Sequence, residues 1–441
     1  MCSKKNYFKK IILILSLVIC DMFAIFFSVL LSIVLKNAFD FSQDIDIWPY
    51  LNFKLFYIIP ICIFAFLGMY NKRYDFWYET LLIVKSCILG LILTMSVFTF
   101  AKINMNLSRF VIIFSFIFMM FFIPILKYIL KISLFKLGIW KSPARAVGKN
   151  KELNHEIFHN PYLGYIVDND NYDTLFIDNT LMPGDKLNLF LEQNIYKEKE
   201  MILASNFLDY DFSKNRIYTF INSRTNLIVI NNSYNNIFNK TLKNIFDYTL
   251  VIALLPFLIP IFIIISFMIK IEDPKGNIFF INKRLGRNNK AFGCLKFRSM
   301  YESGDEILKE YLLKNPEEIK NYKIFHKYKN DPRITKIGKF LRKTSLDELP
   351  QLINILKGEM SLVGPRPYLI EEKQDMGYQR KLITSVKPGV TGLWQVSGRN
   401  DVDFSTRLSM DAWYVKNWSI WNDIVILIKT IGVVIKRKGA S

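Results

Sequence analysis

Four apolar runs, each long enough to cross a bilayer as a helix, occupy most of the first 130 residues of this 441-residue chain and limit what the remainder can be. A crossing takes about 20 helical residues. The runs cover roughly 7–35, 51–70, 80–101 and 110–130, so a membrane-resident protein is expected. The 51% hydrophobic content and 38 phenylalanines exceed what a soluble core uses. The first run, from Ile11 to Leu35 after the basic start KKNYFKK, is longer than a signal-peptide core and has no small-residue cleavage pattern, so it reads as a retained anchor. Lys4, Lys5, Lys9 and Lys10 precede it, Lys72 and Arg73 separate the second and third runs, and Lys127, Lys131, Lys136, Lys141 and Arg145 accompany the end of the fourth. Asp40, Asp44 and Asp46 lie in the first external loop. Basic residues stay on the cytoplasmic side, which predicts a four-helix transmembrane bundle over residues 1–140 with both ends in the cytoplasm.

The formal net charge of +20 points to an anionic partner, and charge alone leaves nucleic acid, an anionic lipid surface and a phosphorylated substrate open. Cys2, Cys20, Cys62, Cys87 and Cys294 show no paired spacing, and four of them lie at or within apolar segments. Neither a disulfide framework nor a cysteine zinc site is indicated, and a reducing compartment fits.

Residues 141–240 turn polar and asparagine-rich, with short apolar runs such as TLFID (174–178) and NLIVI (226–230) between helix-like stretches, the pattern of a small α/β domain. Its opening, ARAVGKNKE, stands where a dinucleotide-binding turn would carry three glycines, but only Gly148 is present. Without the others a backbone cannot approach a pyrophosphate closely, so a degenerate Rossmann-like domain without bound nucleotide is expected. HEIFH (155–159) matches the H-E-x-x-H zinc pattern and raises a rival reading, a membrane-anchored zinc metalloprotease. Against it, Asn160 and Pro161 end the helix at once, and His326 is the only other histidine where catalytic zinc needs three protein ligands.

The third region, 241–441, opens on a fifth apolar run from Tyr248 to Ile269 with Pro256 and Pro260 near its middle. Each proline removes a backbone hydrogen bond, so a sharp bend is expected. Lys240 and Lys243 precede the run, and Lys270, Lys275, Lys283, Arg284 and Arg287 follow it, which predicts a re-entrant helix broken at Pro260 with both ends cytoplasmic. Near the C-terminus, Trp413, Tyr414, Trp418 and Trp421, the apolar run 424–435 and the basic KRK (436–438) predict interfacial amphipathic helices.

Chemistry concentrates in TSLDELPQL (344–352). Leu349, Leu352, Ile353 and Leu356 recur at helical spacing and Pro350 fits a first turn, so Asp347 and Glu348 belong at the positive end of a helix, beside Arg342 and Lys343. That setting favours an ionised Asp347, ready as nucleophile or metal ligand. Ser345 to Glu348 also reads S-x-x-E, a capping box, which taken alone favours a structural role. The surroundings argue for chemistry: Lys296, Arg298, Arg333, Arg366 and Arg399 cluster in motifs, several next to glycine or proline, where an arginine fork can be held in a fixed pose for phosphate. A cationic pocket, a carboxylate pair and a membrane platform suggest phosphoryl transfer onto a lipid, with a divalent metal offsetting the negative charge.

The ordered motifs KNIFD, KRLGR, KFRSM, NDPRITKIGKFLRKTSLDELPQLINILKGEMSLVGPRP, KPGVTGLWQVSGRNDVDF and DAWYVKNWSIWND make residues 244–441 resemble the catalytic domain of bacterial polyprenyl-phosphate sugar-1-phosphate transferases. The layout is similar to the long form of that family, with four membrane helices and a Rossmann-like domain ahead of the catalytic part. The resemblance implies that Asp347 attacks the sugar-bearing phosphorus of a UDP-sugar, expels UMP and holds the sugar phosphate covalently, and that Glu348 binds magnesium or manganese. Undecaprenyl phosphate then attacks the adduct. Lys296, Arg298, Arg342, Arg366, Arg399 and Asp411 match motif positions and are assigned to phosphate, uridine or metal contacts, and the bent segment matches the re-entrant helix with Pro260 at its break. Galactose is the first expectation for the sugar, and membrane lipids rather than nucleic acid are the implied surroundings, at the cytoplasmic face of the bacterial inner membrane. Two departures stand out: Ile259 replaces a frequent serine before the proline, and Asn289 replaces a common glycine. The missing nucleotide fingerprint implies a scaffolding role for the middle domain, homodimerisation included. A catalytically inactive scaffold of the same fold is the further alternative, and the intact Asp347, Glu348 and KFRSM argue against it.

Overall fold

The computed structural model describes residues 2–39, 46–100, 107–148, 151–178, 187, 190, 200–204, 216–220, 225–229, 237–315, 331–397 and 403–436. Arg399, Asp40, Asp44, His326 and Lys438, all named above, lie outside them, as do most of the helix-like stretches expected between residues 179 and 236. Among the described residues, five helices are long and apolar enough to cross a membrane: Lys9–Phe39, Trp48–Phe66, Phe76–Thr99, Arg109–Lys136 and Ile237–Glu272. The protein is a mixed helix-and-sheet fold that separates into two compact units, Met1–Asn206 and Phe207–Ser441.

In the first unit, four apolar helical segments close around one core that includes Leu17, Phe56, Phe64 and Phe116. Lipid-like surroundings give little drive for helices to associate, so close packing and polar contacts must hold them together. The Ser32 and Ser115 hydroxyls meet at 2.7 Å, and Phe27 and Phe122 pack edge to face at 5.0 Å. Asp21, Glu79, Lys127 and Lys131 form a fully buried ion cluster, joined by the hydroxyls of Tyr70 and Tyr162. Beyond the helices, strands β1 (Ser142–Val147), β2 (Tyr165–Val167), β3 (Thr174–Asp178) and β4 (Glu200–Ala204) make a parallel sheet in the order β2-β1-β3-β4. TLFID is β3, buried at all five positions as a central parallel strand should be.

In the second unit, NLIVI contributes to β6 (Thr225–Val229), which pairs antiparallel with β5 (Arg216–Phe220) rather than joining the parallel sheet. The apolar helix Ile237–Glu272 runs without interruption through Pro256 and Pro260, so the bend expected there does not divide it into two helices. It is followed by the hairpin β7 (Phe279–Leu285) and β8 (Ala291–Phe297), and by β9 (Ser361–Val363), which pairs parallel with β10 (Gly389–Thr391). The helices Phe404–Lys416 and Ile420–Lys436 correct part of the interfacial reading. Tyr414 and Trp418 are buried, and both donate to the Asp423 carboxylate, at 2.7 and 3.1 Å. A polar group that can reach a buried partner makes an aromatic ring suitable for a core. Ile428, Ile431, Val434 and Ile435 remain exposed along the last helix.

Candidate active site

The DELP segment is a single tight turn held between two fixed helices. The helix Lys336–Thr344 starts where the Thr335 hydroxyl accepts from the Gly338 amide at 2.8 Å and the Glu272 carboxylate accepts from the Lys336 and Ile337 amides at 2.6 and 2.9 Å. An anion at a helix N-terminus is stabilising, so the end of the long apolar helix fixes the position of this one. Gly338 lies against the backbone of Ser299, where a methyl group would overlap the Ser299 carbonyl. The helix ends at Ser345, whose φ of 56° is left-handed, and a 3-10 turn over Leu346–Glu348 follows. After it, helix Gln351–Leu356 is riveted to β8 by fully buried Asn354, which accepts from the Leu295 amide at 3.0 Å and donates to the Gly293 carbonyl at 2.8 Å.

The capping box that S-x-x-E offered as the structural alternative does not form. The Ser345 side chain caps nothing, and the Glu348 carboxylate turns to Lys296, which donates to it at 2.7 Å. The Lys296 ammonium is also 3.8 Å from the Asp347 carboxylate. Burial works against the charge on Lys296, but Glu348 and Asp347 outweigh it and hold the ammonium above its usual pKa. For Asp347 the balance differs from the expectation drawn from the helix end. Burial pushes its carboxyl up, Lys296 opposes that, Glu348 adds to it, and the result lies above the usual carboxylate value. Removing water from a carboxylate is the larger effect here, greater than that of two nearby cations.

These groups border a cavity of about 610 Å³, a size suited to a small organic ligand. Lys296, Arg298, Arg342, Asp347 and Glu348 all line it. Their roles are unequal. Arg298 is paired with Asp273 at 3.2 Å and with Glu302 at 2.6 Å, so its guanidinium is engaged by protein carboxylates rather than left for a substrate anion. Gly276 makes room for it, since a methyl group there would overlap the guanidinium. Arg342 donates to the Ser299 hydroxyl at 2.9 Å and faces Asp347. Arg366 lines a smaller cavity of about 130 Å³ next to Lys296 and Glu348.

Asp411, expected among the substrate contacts, is fully buried and lines neither cavity. Its carboxylate accepts from the Tyr368 hydroxyl at 2.8 Å and the Arg366 amide at 3.1 Å, so it holds the GPRP segment in place from behind. Burial raises its pKa to about 7, against those hydrogen bonds and the charges of Arg366 and Arg407.

Sequence reasoning did not assign Ser299, Asn282, Arg284, Trp394 or Gln395 to the site, although all line the larger cavity. Asn282 and Arg284 share a period of two with Phe280 along β7, the signal that would have found them. The two histidines of HEIFH stack at 4.5 Å at the end of helix Lys151–Phe158, and no group of three His, Cys, Asp or Glu able to hold a metal occurs among the described residues. Nothing observed supports the protease reading.

The family model described as "Bacterial sugar transferase" matches residues 238–437, which include every lining residue of the cavity. The chain is 35% identical over 423 residues to the undecaprenyl-phosphate galactose phosphotransferase of Salmonella typhimurium, covering 87% of each chain. It is 32% identical over 477 aligned residues to the UDP-galactose-lipid carrier transferase of Erwinia amylovora, covering 98% of each. It is 44% identical over 198 residues to the exopolysaccharide production protein ExoY of Rhizobium meliloti, which spans 87% of that protein and 45% of this one. With likeness running through both units to long relatives and the family match enclosing the carboxylate pair, the chain belongs to the bacterial sugar transferase family.

Proposed function

We propose that the protein transfers a sugar 1-phosphate, galactose 1-phosphate first among the candidates, from a UDP-sugar to undecaprenyl phosphate and so begins a lipid-linked glycan. The observation that carries this reading is the Asp347–Glu348 pair on the wall of a cationic cavity, with Lys296 between the two carboxylates. In the first step a carboxylate oxygen of Asp347 forms a bond to the sugar-bearing phosphorus. The bond from that phosphorus to the bridging oxygen breaks, and UMP leaves with the electron pair. In the second, a phosphate oxygen of the lipid bonds to the same phosphorus and Asp347 departs as a carboxylate, giving a lipid diphosphate sugar. Arg342, beside Asp347, is suited to the charge that gathers on the transferring phosphoryl group.

A divalent cation fits the donor set. Two carboxylates meet at the cavity wall, Glu348 with 32% of its side chain exposed, and magnesium commonly takes one or two carboxylates plus the phosphates of its substrate. Glu348, with Asp347 beside it, would hold the ion, which supplies neutralisation of diphosphate charge when bound. We place the four N-terminal helices across the bacterial inner membrane, with Ile237–Glu272 entering and leaving at the cytoplasmic face around Pro260. Lysines at both ends of that helix support this topology.

The decisive experiment offers UDP-sugars to the purified protein and follows UMP release and trapping of labelled sugar phosphate on the chain. Asp347→Asn is expected to abolish both, and an adduct surviving that change would refute the nucleophile. Glu348→Gln is expected to weaken magnesium dependence. Because the Asp347 carboxyl lies above its usual range, its ionised fraction falls as pH is lowered through that raised value. UMP release should therefore decline on the acid side before an ordinary aspartate would protonate.

A further inference from the structure

The β7–β8 hairpin has one face toward the carboxylates, and its residues form an ordered series. Side chains alternate along a strand, and Phe280, Asn282 and Arg284 of β7 all line the larger cavity. In the antiparallel register Phe280 stands directly opposite Lys296. Directly opposed side chains have Cβ atoms about 4.5–5.5 Å apart, so a phenylalanine lies beside the lysine that bridges Asp347 and Glu348. From Phe280 to Arg284 the face changes from apolar to amide to cationic over about 13 Å of strand.

The apolar end of this series is open. Phe280 is 52% exposed, and Phe267 and Ile271 are exposed near the end of helix Ile237–Glu272, a few residues earlier in the chain. Phe262 of that helix packs on Phe297 at 5.1 Å and Phe279 stacks on the same ring at 5.5 Å, so the hairpin rests on the apolar helix. An exposed apolar margin suits a hydrocarbon chain. At the other end, the Arg284 guanidinium makes a single side-chain hydrogen bond among the described residues, to the Pro367 carbonyl at 3.4 Å. Arg284, Arg366 and Lys296 gather at the 130 Å³ cavity beside Glu348. Two guanidiniums and an ammonium around the single Glu348 carboxylate leave positive charge in excess, which suits a phosphate.

We propose that this hairpin face seats the lipid acceptor, with its phosphate on Arg284 and its first isoprene units over Phe280. The proposal rests on the transferase reading and adds to it the place of the second substrate, leaving the Arg342 side of the cavity for the nucleotide donor. The acceptor oxygen then enters opposite Asp347, along the line on which UMP left, as two successive in-line displacements on one phosphorus require.

The test uses the full chain in nanodiscs, with KM measured separately for a long polyprenyl phosphate and for the UDP-sugar. Arg284→Ala is expected to raise the acceptor KM about tenfold or more and the donor KM less than about twofold, since one charge-assisted hydrogen bond is lost in one substrate only. Arg284→Lys should recover most of the loss, which a purely structural role would not predict. Phe280→Ala should raise the KM of the long acceptor about fivefold and leave that of a methyl phosphate, which has no isoprene, unchanged, the size expected for losing part of a buried apolar contact. An equal rise in donor KM in either variant would make this face a nucleotide platform, and no change in acceptor KM would remove it from the site. Both outcomes overturn the proposal. Direct binding of radiolabelled polyprenyl phosphate separates this inference from the reading beneath it. If the wild-type protein transfers nothing, weaker binding by Arg284→Ala still upholds the acceptor site, and equal binding overturns it.

Discussion

The ion cluster of the first unit and the carboxylate pair of the second are built from the same residue types and are arranged differently. Asp21, Glu79, Lys127 and Lys131 have side chains 0–1% exposed, while Lys296, Asp347 and Glu348 keep 29%, 14% and 32%. The first set is balanced, two carboxylates against two ammoniums, and aromatic rings close it in: Lys127 lies over Phe64 at 5.1 Å and Lys131 over Tyr162 at 4.3 Å. The second set carries an excess of cations, with Arg284, Arg342 and Arg366 around one carboxylate pair after Arg298 and Arg333 have been matched by their own acidic partners. Charges that are sealed and neutralised hold elements together, because losing one partner leaves the other stranded away from water. Charges that are open and unbalanced are available to a ligand that completes them. The Lys243–Asp247–Asp423 group belongs with the sealed kind, at 3.1 and 2.8 Å, and it ties the start of helix Ile237–Glu272 to the last helix.

Breaking the sealed set should have the largest effect. Lys127→Met strands Asp21, while Glu79 keeps Lys131, and is expected to cost about 3–5 kcal/mol, read as a fall in the thermal midpoint of the full-length protein in nanodiscs. Adding Asp21→Asn should return most of that stability, because the uncompensated charge is then gone. An equally unstable double variant would show that packing, not charge, is what Lys127 provides.

The matching change in the open set should act on rate instead. Lys296→Met is expected to reduce UMP release by about 100-fold or more, while stability moves by less than about 1 kcal/mol, as for other partly exposed ion pairs. A large drop in thermal midpoint with little change in turnover would place Lys296 with the sealed charges and remove the contrast.

The smallest expected effect concerns Asp411, a sealed carboxyl that positions the open set. Its pKa in the folded protein is raised to about 7, so between the ordinary aspartate value of about 4 and 7 the folded protein binds a proton that the unfolded chain has released. Stability from this group is therefore present at low pH and is lost as pH rises through that window. Asp411→Asn should flatten the dependence of the thermal midpoint on pH across it, and an unchanged slope would assign the dependence to another group.

Much of the architecture was legible because its signals are local. Apolar run length marked the helices, and the short run TLFID marked a strand of the parallel sheet. The carboxylate pair was legible from its neighbours along the chain, Arg342, Lys343 and Pro350. The capping box was misleading because S-x-x-E describes a helix start, and Ser345 instead closes the preceding helix in a left-handed conformation. Arg298 and Asp411 looked alike as motif residues, and only three-dimensional placement separated an arginine held by Asp273 and Glu302 from an aspartate supporting the loop behind Arg366. Tyr414 and Trp418 read as interfacial until Asp423 supplied their buried partner.

By itself, then, the sequence determined that long apolar helices and a basic, motif-dense second half share one chain, since hydropathy and motif order are properties of neighbouring residues. Only the tertiary structure decided which charges are sealed and which stay open, and that Phe280 faces Lys296. Those relations depend on strand register and on water excluded by residues distant in sequence, and a carboxylate's protonation responds to that exclusion more than to the charges beside it in the chain.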